Sequence, residues 1–94
     1  MVASASDKEL LGDAMQELRD AIRKGDGTKI EVCLGWVKGN LKRLRIGDEE
    51  IENAMNQIKY RAHWIDKKYK KELPEKFLEL ERLLIRKLGI KPSK

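Results

Sequence analysis

Cysteine is nearly absent from this sequence, which contains Cys33 alone. A single cysteine cannot form a disulfide within the chain. Together with the only histidine, His63, it falls short of the four ligands that a structural zinc site typically uses. The sequence therefore excludes a disulfide-stabilised fold, predicts neither a metal nor another cofactor, and favours a reducing compartment such as the cytoplasm.

Long apolar runs are absent as well. No stretch approaches the roughly 18 consecutive apolar residues of a membrane-spanning helix. Residues 1–6 are small and polar, and they lack the basic and apolar segments of a secretion signal. We therefore expect neither membrane insertion nor secretion.

Charged residues are abundant, at 39% of the 94 residues, and aliphatic residues recur throughout. This composition separates the chain from disordered proteins, in which the apolar fraction is low. The length suffices for one hydrophobic core and not for two, so we expect a single helical domain over residues 1–94 with flexible tails at 1–5 and 90–94. Because so small a core has little stability to spare, self-association into a homo-oligomer is an open alternative.

Apolar residues recur every three or four positions, which places them on one face of an α-helix. Pro74 is placed in the first turn of the last helix, where its fixed φ and missing N–H are tolerated. Asp48 caps the third helix, whose apolar stripe extends from Ile51 to Tyr69. Thr28 is the expected cap of the second helix, and Gly47 its end. The first predicted helix runs from residue 6 or 7 to residue 24, and the second from its cap at 28 toward 46. The third runs from its cap at 48 to a basic end that includes residues 67–71, and the fourth, with Pro74 in its first turn, ends at 88.

The connections between these helices are short, which favours sequential antiparallel packing. The predicted fold is therefore all-α, a small four-helix bundle. The fourth helix has an unusually broad apolar surface, because Leu78, Leu83 and Ile85 widen its main stripe. Such a helix is either central to the bundle or shared with a second subunit.

No catalytic arrangement is evident. Cys33 lies on the apolar stripe of the second helix, as a core residue does, and His63 lies on a flank between lysines, as a surface histidine does. The Gly25-Asp26-Gly27 turn lacks the spacing of a phosphate-binding loop. Acidic residues cluster at helix starts, where they complement the helix dipole. The sequence thus predicts a protein that is not an enzyme.

Aromatic residues are scarce, and most of them lie off the core stripes. On the predicted third helix, Tyr60 and Trp64 share an outward face with Lys67 and Lys71, while Trp36 lies on the back of the second helix. Aromatic rings can stack on bases, and lysines can neutralise phosphates. A surface that combines the two is typical of proteins that bind nucleic acid. The same rings are also favoured anchors of protein interfaces, and each tryptophan could instead pack on a neighbouring helix.

Positive charge is concentrated in the second helix, where residues 29–47 contain five cations and one acid, within a chain of net charge +5. The favoured function is nucleic-acid binding, of DNA or RNA, through phosphate contacts. Acidic residues at the start of the third helix disfavour a helix-turn-helix mode. The alternative is a protein–protein interaction module: an adaptor, an accessory subunit or a homodimer. The candidate nucleic-acid-binding residues are Lys38, Lys42, Arg43, Arg45, Tyr60, Trp64, Lys67, Lys68, Lys70 and Lys71.

Overall fold

A computed structural model of the chain describes residues 5–64 and 67–90, except for the side chains of residues 5, 6 and 67–69. These residues form four α-helices and no strand. Each helix packs antiparallel to the next, and contacts between the first and the last close the ring. The predicted all-α four-helix bundle is confirmed. The helices are α1 (Ala5–Lys24), α2 (Gly27–Arg43), α3 (Glu49–His63) and α4 (Lys67–Leu88).

The core is built from the predicted apolar stripes. Leu11, Leu18 and Ile30 are fully buried, as are Ile58 and Leu84. Leu10, an apolar residue whose helical spacing predicts burial on the same side of α1, is 44% exposed. It lies about 100° around the helix from Leu11, at the edge of the buried arc. In the part of the chain that the structure describes, no helix is long and apolar enough to cross a membrane.

Asp26 is the N-cap of α2, where its Oδ1 accepts a hydrogen bond from the Lys29 N–H at 3.1 Å. The prediction that Thr28 caps this helix is therefore wrong. The preceding turn reverses at Gly25, whose φ of +69° belongs to the left-handed region that glycine tolerates. The predicted cap of α3 is correct, because Asp48 Oδ1 accepts from the Ile51 N–H at 3.1 Å.

The end of α2 differs from the prediction, because the helix stops at Arg43 and the chain reverses at Arg45, not at Gly47. Arg45 has a φ of 58°. Its N–H donates to the Lys42 carbonyl at 3.0 Å, and the Ile46 N–H donates to the Leu41 carbonyl at 2.9 Å. This is the Schellman pattern, and it lets the half-buried Ile46 pack back on the core.

The boundary between α3 and α4 also differs from the prediction. The third helix ends at His63, with Trp64 as its C-cap, and Pro74 lies inside α4. A proline there leaves the Lys70 carbonyl without its helical partner. The buried stripe nevertheless continues across it, since Leu73 and Phe77 are 0% and 4% exposed, and their burial offsets this loss. Tyr69, predicted on the core line of the third helix, has a side chain outside the described residues.

The apolar surface of α4 is broad because this helix packs against two others, α1 and α3. Leu83 and Ile85 are partly buried against the core, and Leu78 alone of the three flanking residues is largely exposed, at 46%. Ile90, which the sequence assigned to a tail, is buried at 4% exposure. The bundle therefore extends past the end of α4.

Candidate nucleic-acid interface

The candidate residues fall into two groups at opposite ends of the bundle. Because α2 and α3 are antiparallel, the end of α3 lies beside the start of α2, and the 17 residues of α2 span about 25 Å. The first group, the α2 C-terminal cluster, is Lys38, Lys42, Arg43 and Arg45. The second group, the aromatic end, is Tyr60, Trp64, Lys67, Lys68, Lys70 and Lys71.

In the α2 C-terminal cluster, Lys38 and Lys42 line one wall of a cavity of about 300 Å³ between α2 and α3. The opposite wall carries Asp48 and Glu52, while Leu41 and other apolar side chains form the floor. The first turn of α3 holds three glutamates in total. These carboxylates weaken the positive potential of the cluster toward a polyanion.

Two further cations at this end of the bundle are held in ion pairs. Lys87 Nζ donates to Asp48 Oδ2 at 2.7 Å and to Glu50 Oε1 at 2.9 Å. Arg86 lies 3.8 Å from the same glutamate. The hydrogen bond from Lys87 holds the pKa of Asp48 below its ordinary value, and the two carboxylates raise the pKa of Lys87. These cations are engaged within the protein.

At the aromatic end, Tyr60 and Trp64 are 55% and 60% exposed, so the prediction that they face outward is correct. Trp64 caps α3, and its ring meets the His63 ring edge-on, with centroids 5.0 Å apart and planes at 86°. The sequence predicted Lys67 and Lys71 on the same helix as these two rings. This is wrong, because both lysines belong to α4. Lys71 is exposed. The side chains of Lys67 and Lys68 lie outside the described residues.

Two acidic residues near the aromatic end lie close to a basic side chain, and a third, Asp26, uses one carboxylate oxygen as the cap of α2. Glu31 Oε1 lies 3.6 Å from His63 Nδ1, and Glu72 Oε1 lies 3.6 Å from Arg61 Nη2. By contrast, Lys71 forms no ion pair with any residue that the structure describes. The free positive charge of this end therefore faces solvent.

Lys70 ties the aromatic end to α1. A Cβ placed on Gly25 would lie 2.8 Å from Lys70 Cε, so this side chain crosses the turn between α1 and α2. The last turn of α1 carries Arg23 and Lys24, and both are exposed. Neither cation is among the residues predicted from the sequence, because the first 28 residues carry a net negative charge. Their position in the last turn of a helix was the available signal.

Among the described residues, the one cysteine is buried and the potential metal ligands do not cluster. Cys33 is fully buried, as predicted, and burial raises the pKa of its thiol. No group of three or more potential metal ligands occurs among residues 5–64 and 67–90. The exposed rings and cations are thus the side chains with evident binding chemistry.

Resemblance to other proteins gives no guide to function. Comparison of the chain with protein-family models, with curated proteins and with solved structures finds no match. The side chains at the two ends of the bundle therefore carry the functional inference.

Proposed function

We propose that the protein binds single-stranded nucleic acid, RNA or DNA, at the aromatic end and catalyses no reaction. The observation that supports this most directly is the exposure of Trp64, 60%, at the C-cap of α3. Cations from α1 and α4 lie at the same end of the bundle. A cytoplasmic location, in keeping with the buried thiol of Cys33, is part of the proposal.

Stacking on the aromatic rings accounts for the preference for single strands. Trp64, the C-cap of α3, lies four residues after Tyr60, and its N–H donates to the Tyr60 carbonyl at 3.3 Å. An unpaired base can stack on an exposed ring, and each such contact contributes about 1–3 kcal/mol. Bases in a duplex are already stacked on each other, so they are not available to these rings. A single strand therefore gains an interaction that a duplex lacks.

Phosphate contacts supply the remaining affinity. Lys24 and Lys71 are exposed and form no ion pair among the described residues, and Arg23, which precedes Lys24 in the chain, is also exposed. When such unpaired cations neutralise phosphates, they release the counterions that surround the nucleic acid, and this release favours binding. The α2 C-terminal cluster is less suited, because Asp48 and Glu52 face its lysines across the cavity.

A second candidate function is a protein–protein interaction module. It is favoured by Val32 and Trp36 on the outer side of α2, which are 47% and 51% exposed. Burial of such apolar side chains depends little on salt, whereas phosphate binding weakens steeply as salt rises. Salt dependence therefore separates the two functions.

The placement of the site is tested by two double variants with the same change of charge. Lys24→Glu with Lys71→Glu alters the aromatic end, and Lys38→Glu with Lys42→Glu alters the other end of the bundle. Binding of a fluorescent single-stranded oligonucleotide is followed by anisotropy at low salt. We expect the first pair to lose about tenfold or more in affinity and the second about threefold or less. Equal losses, or a larger loss in the second pair, would contradict the placement.

The stacking contribution is tested at Trp64. Trp64→Ala removes the ring, and the expected loss for a single strand is about tenfold, the effect of one stacked base. Trp64→Phe keeps an aromatic face and retains most of the affinity. A wild-type protein that binds no oligonucleotide at low salt would overturn the proposal itself.

A further inference from the structure

The cavity between α2 and α3 has the size and the floor of a small-molecule site. It lies beside the connection between these helices, residues 44–48, and its volume of about 300 Å³ is at the lower end of the range for such sites, about 300–1,000 Å³. Leu41, Ile51 and Met55 line it, and all three are buried, so they form an apolar floor. A molecule that fills this cavity is therefore small and carries an apolar group.

The two walls above this floor carry opposite charges that do not pair with each other. Lys38 and Lys42 form the wall on α2, one helical turn apart, and Glu52 lies on the wall formed by α3. None of these three residues forms an ion pair with any residue among 5–64 and 67–90. Asp48 also lines the cavity, but both of its carboxylate oxygens accept hydrogen bonds within the protein. Two ammonium groups and one carboxylate are therefore available to a ligand.

We infer that this cavity binds a free α-amino acid with a large apolar side chain. The carboxylate of the ligand pairs with Lys38 and Lys42, its ammonium group pairs with Glu52, and its side chain lies over the floor. An anion would be repelled by Glu52, a cation would be repelled by the two lysines, and an uncharged molecule would leave every charge unpaired. A zwitterion complements both walls at once. Because both charged groups of an α-amino acid are attached to one carbon atom, its side chain remains free to fill the apolar part of the cavity.

The exposure of the charged walls sets the strength of binding. Lys38, Lys42 and Glu52 are exposed, and ion pairs at exposed positions are weakened by water and salt. Contact with the floor and with the aliphatic stems of the lysines supplies the rest of the affinity. We therefore expect a Kd of about 0.1–1 mM for leucine. Because the cavity lies at the opposite end of the bundle from the aromatic end, binding of an amino acid and binding of nucleic acid are independent.

The test is a titration of the full chain with L-leucine to about 20 mM, followed by the backbone amide signals in proton–nitrogen correlation NMR spectra. We expect the signals of residues 38–42 and 52–56 to shift and to saturate. N-acetyl-leucine lacks the ammonium group and leucine amide lacks the carboxylate, so each should bind more weakly than leucine by about fivefold or more. Glycine has no apolar side chain and should bind more weakly by about tenfold or more.

Variants of the two walls locate the contact. Glu52→Gln removes the negative charge and should lower the affinity for leucine by about fivefold. The same variant should bind N-acetyl-leucine more tightly than the wild type does, a gain that loss of folding could not produce. Glu49→Gln removes a neighbouring exposed carboxylate that does not line the cavity, and it should bind leucine as the wild type does. Lys38→Glu with Lys42→Glu should bind no leucine and should still bind an oligonucleotide at the aromatic end.

Several results would overturn the inference. Leucine that shifts no signals at the highest concentration, or only those of the aromatic end, would show that the cavity is not an amino-acid site. Equal affinity for leucine and N-acetyl-leucine, or for Glu52→Gln and the wild type, would show that Glu52 does not pair with the ligand. Tighter binding of a leucine tripeptide than of leucine would identify the occupant as a peptide segment instead.

Discussion

Lys87 Nζ lies 2.7 Å from Asp48 Oδ2 and joins the last turn of α4 to the N-cap of α3. The carboxylate has two roles, since its other oxygen accepts the Ile51 N–H that opens the helix. The two residues are 39 positions apart in the sequence. One carboxylate therefore both starts α3 and fixes α4 against it.

This pair predicts how stability depends on pH. The hydrogen bonds from Lys87 and from the Ile51 N–H lower the pKa of Asp48 in the folded protein from its ordinary value of 3.8. Asp48 therefore contributes to the free energy of unfolding above pH 3.8, and this contribution is lost as pH falls through the lower, folded-state pKa. The hydrogen bonds to Asp48 and Glu50 raise the pKa of Lys87 from its ordinary value of 10.5. Lys87 therefore contributes to the free energy of unfolding below pH 10.5, and this contribution is lost as pH rises through the higher, folded-state pKa. We expect Asp48→Asn to flatten the acid side of a plot of melting temperature against pH. Glu49→Gln, a change at an exposed neighbour, should keep the wild-type profile. An Asp48→Asn profile as steep as the wild type on the acid side would contradict this role.

Arg45→Gly is predicted to stabilise the protein. The arginine has a φ of 58°, a conformation that costs a residue with a Cβ about 1–2 kcal/mol and that glycine adopts freely. The free energy of unfolding, measured in urea, should rise by about 1 kcal/mol. The control is Arg43→Gly, which lies within α2 and should lower it by about 0.5–1 kcal/mol. A fall in stability on Arg45→Gly would show that the arginine side chain stabilises the turn.

Gly25→Ala is predicted to destabilise the protein, mainly through the backbone conformation at this position. The φ of +69° disfavours any Cβ, and the new methyl group would meet Lys70 Cε at 2.8 Å. We expect a loss of about 1–2 kcal/mol in the free energy of unfolding. Because Lys70 Cε belongs to the far end of a flexible, exposed side chain that can move aside, adding Lys70→Ala should recover little of this loss. Gly35→Ala, in open space on α2, should instead gain about 0.5–1 kcal/mol. A Gly25→Ala variant as stable as the wild type would contradict the turn geometry.

Cys33 is predicted to be chemically inert in the folded protein. Its side chain is fully buried, and its raised pKa disfavours the reactive thiolate. Modification by a thiol reagent at neutral pH should therefore be slow and should accelerate sharply in denaturant. Rapid modification under native conditions would mean that the core between α1 and α2 opens readily.

The fold was predictable from the sequence because its apolar stripes repeat with a clear helical period. The helix ends were less predictable, since they depend on tertiary burial. At Pro74, the local signal favours a helix start, yet the buried stripe from Leu73 to Phe77 keeps the helix continuous. At Arg45, the return of Ile46 to the core selects a left-handed conformation at a residue that does not favour it.

The candidate site was predictable in part. Helical periodicity alone placed Tyr60 and Trp64 on the outside, and their exposure agrees. The separation of the cations into two groups follows from the antiparallel packing of α2 and α3. The position of Lys67 and Lys71 on α4 depends on where α3 ends, which is earlier in the chain than the sequence predicted. The nearness of Arg23 and Lys24 to Lys70 depends on contacts between α1 and α4, far apart in the chain. No local pattern reports such a contact.

The most direct test of the central claim is the affinity for a single-stranded oligonucleotide as a function of salt concentration, with the matching duplex alongside. Contacts with three or four phosphates predict that log K falls linearly with log salt with a slope of about −2 to −3. Lys24→Glu with Lys71→Glu should reduce this slope, whereas Trp64→Ala should lower the affinity at every salt concentration and leave the slope unchanged. The single strand should bind more tightly than the duplex. Absent binding, or binding that does not respond to salt, would contradict the account.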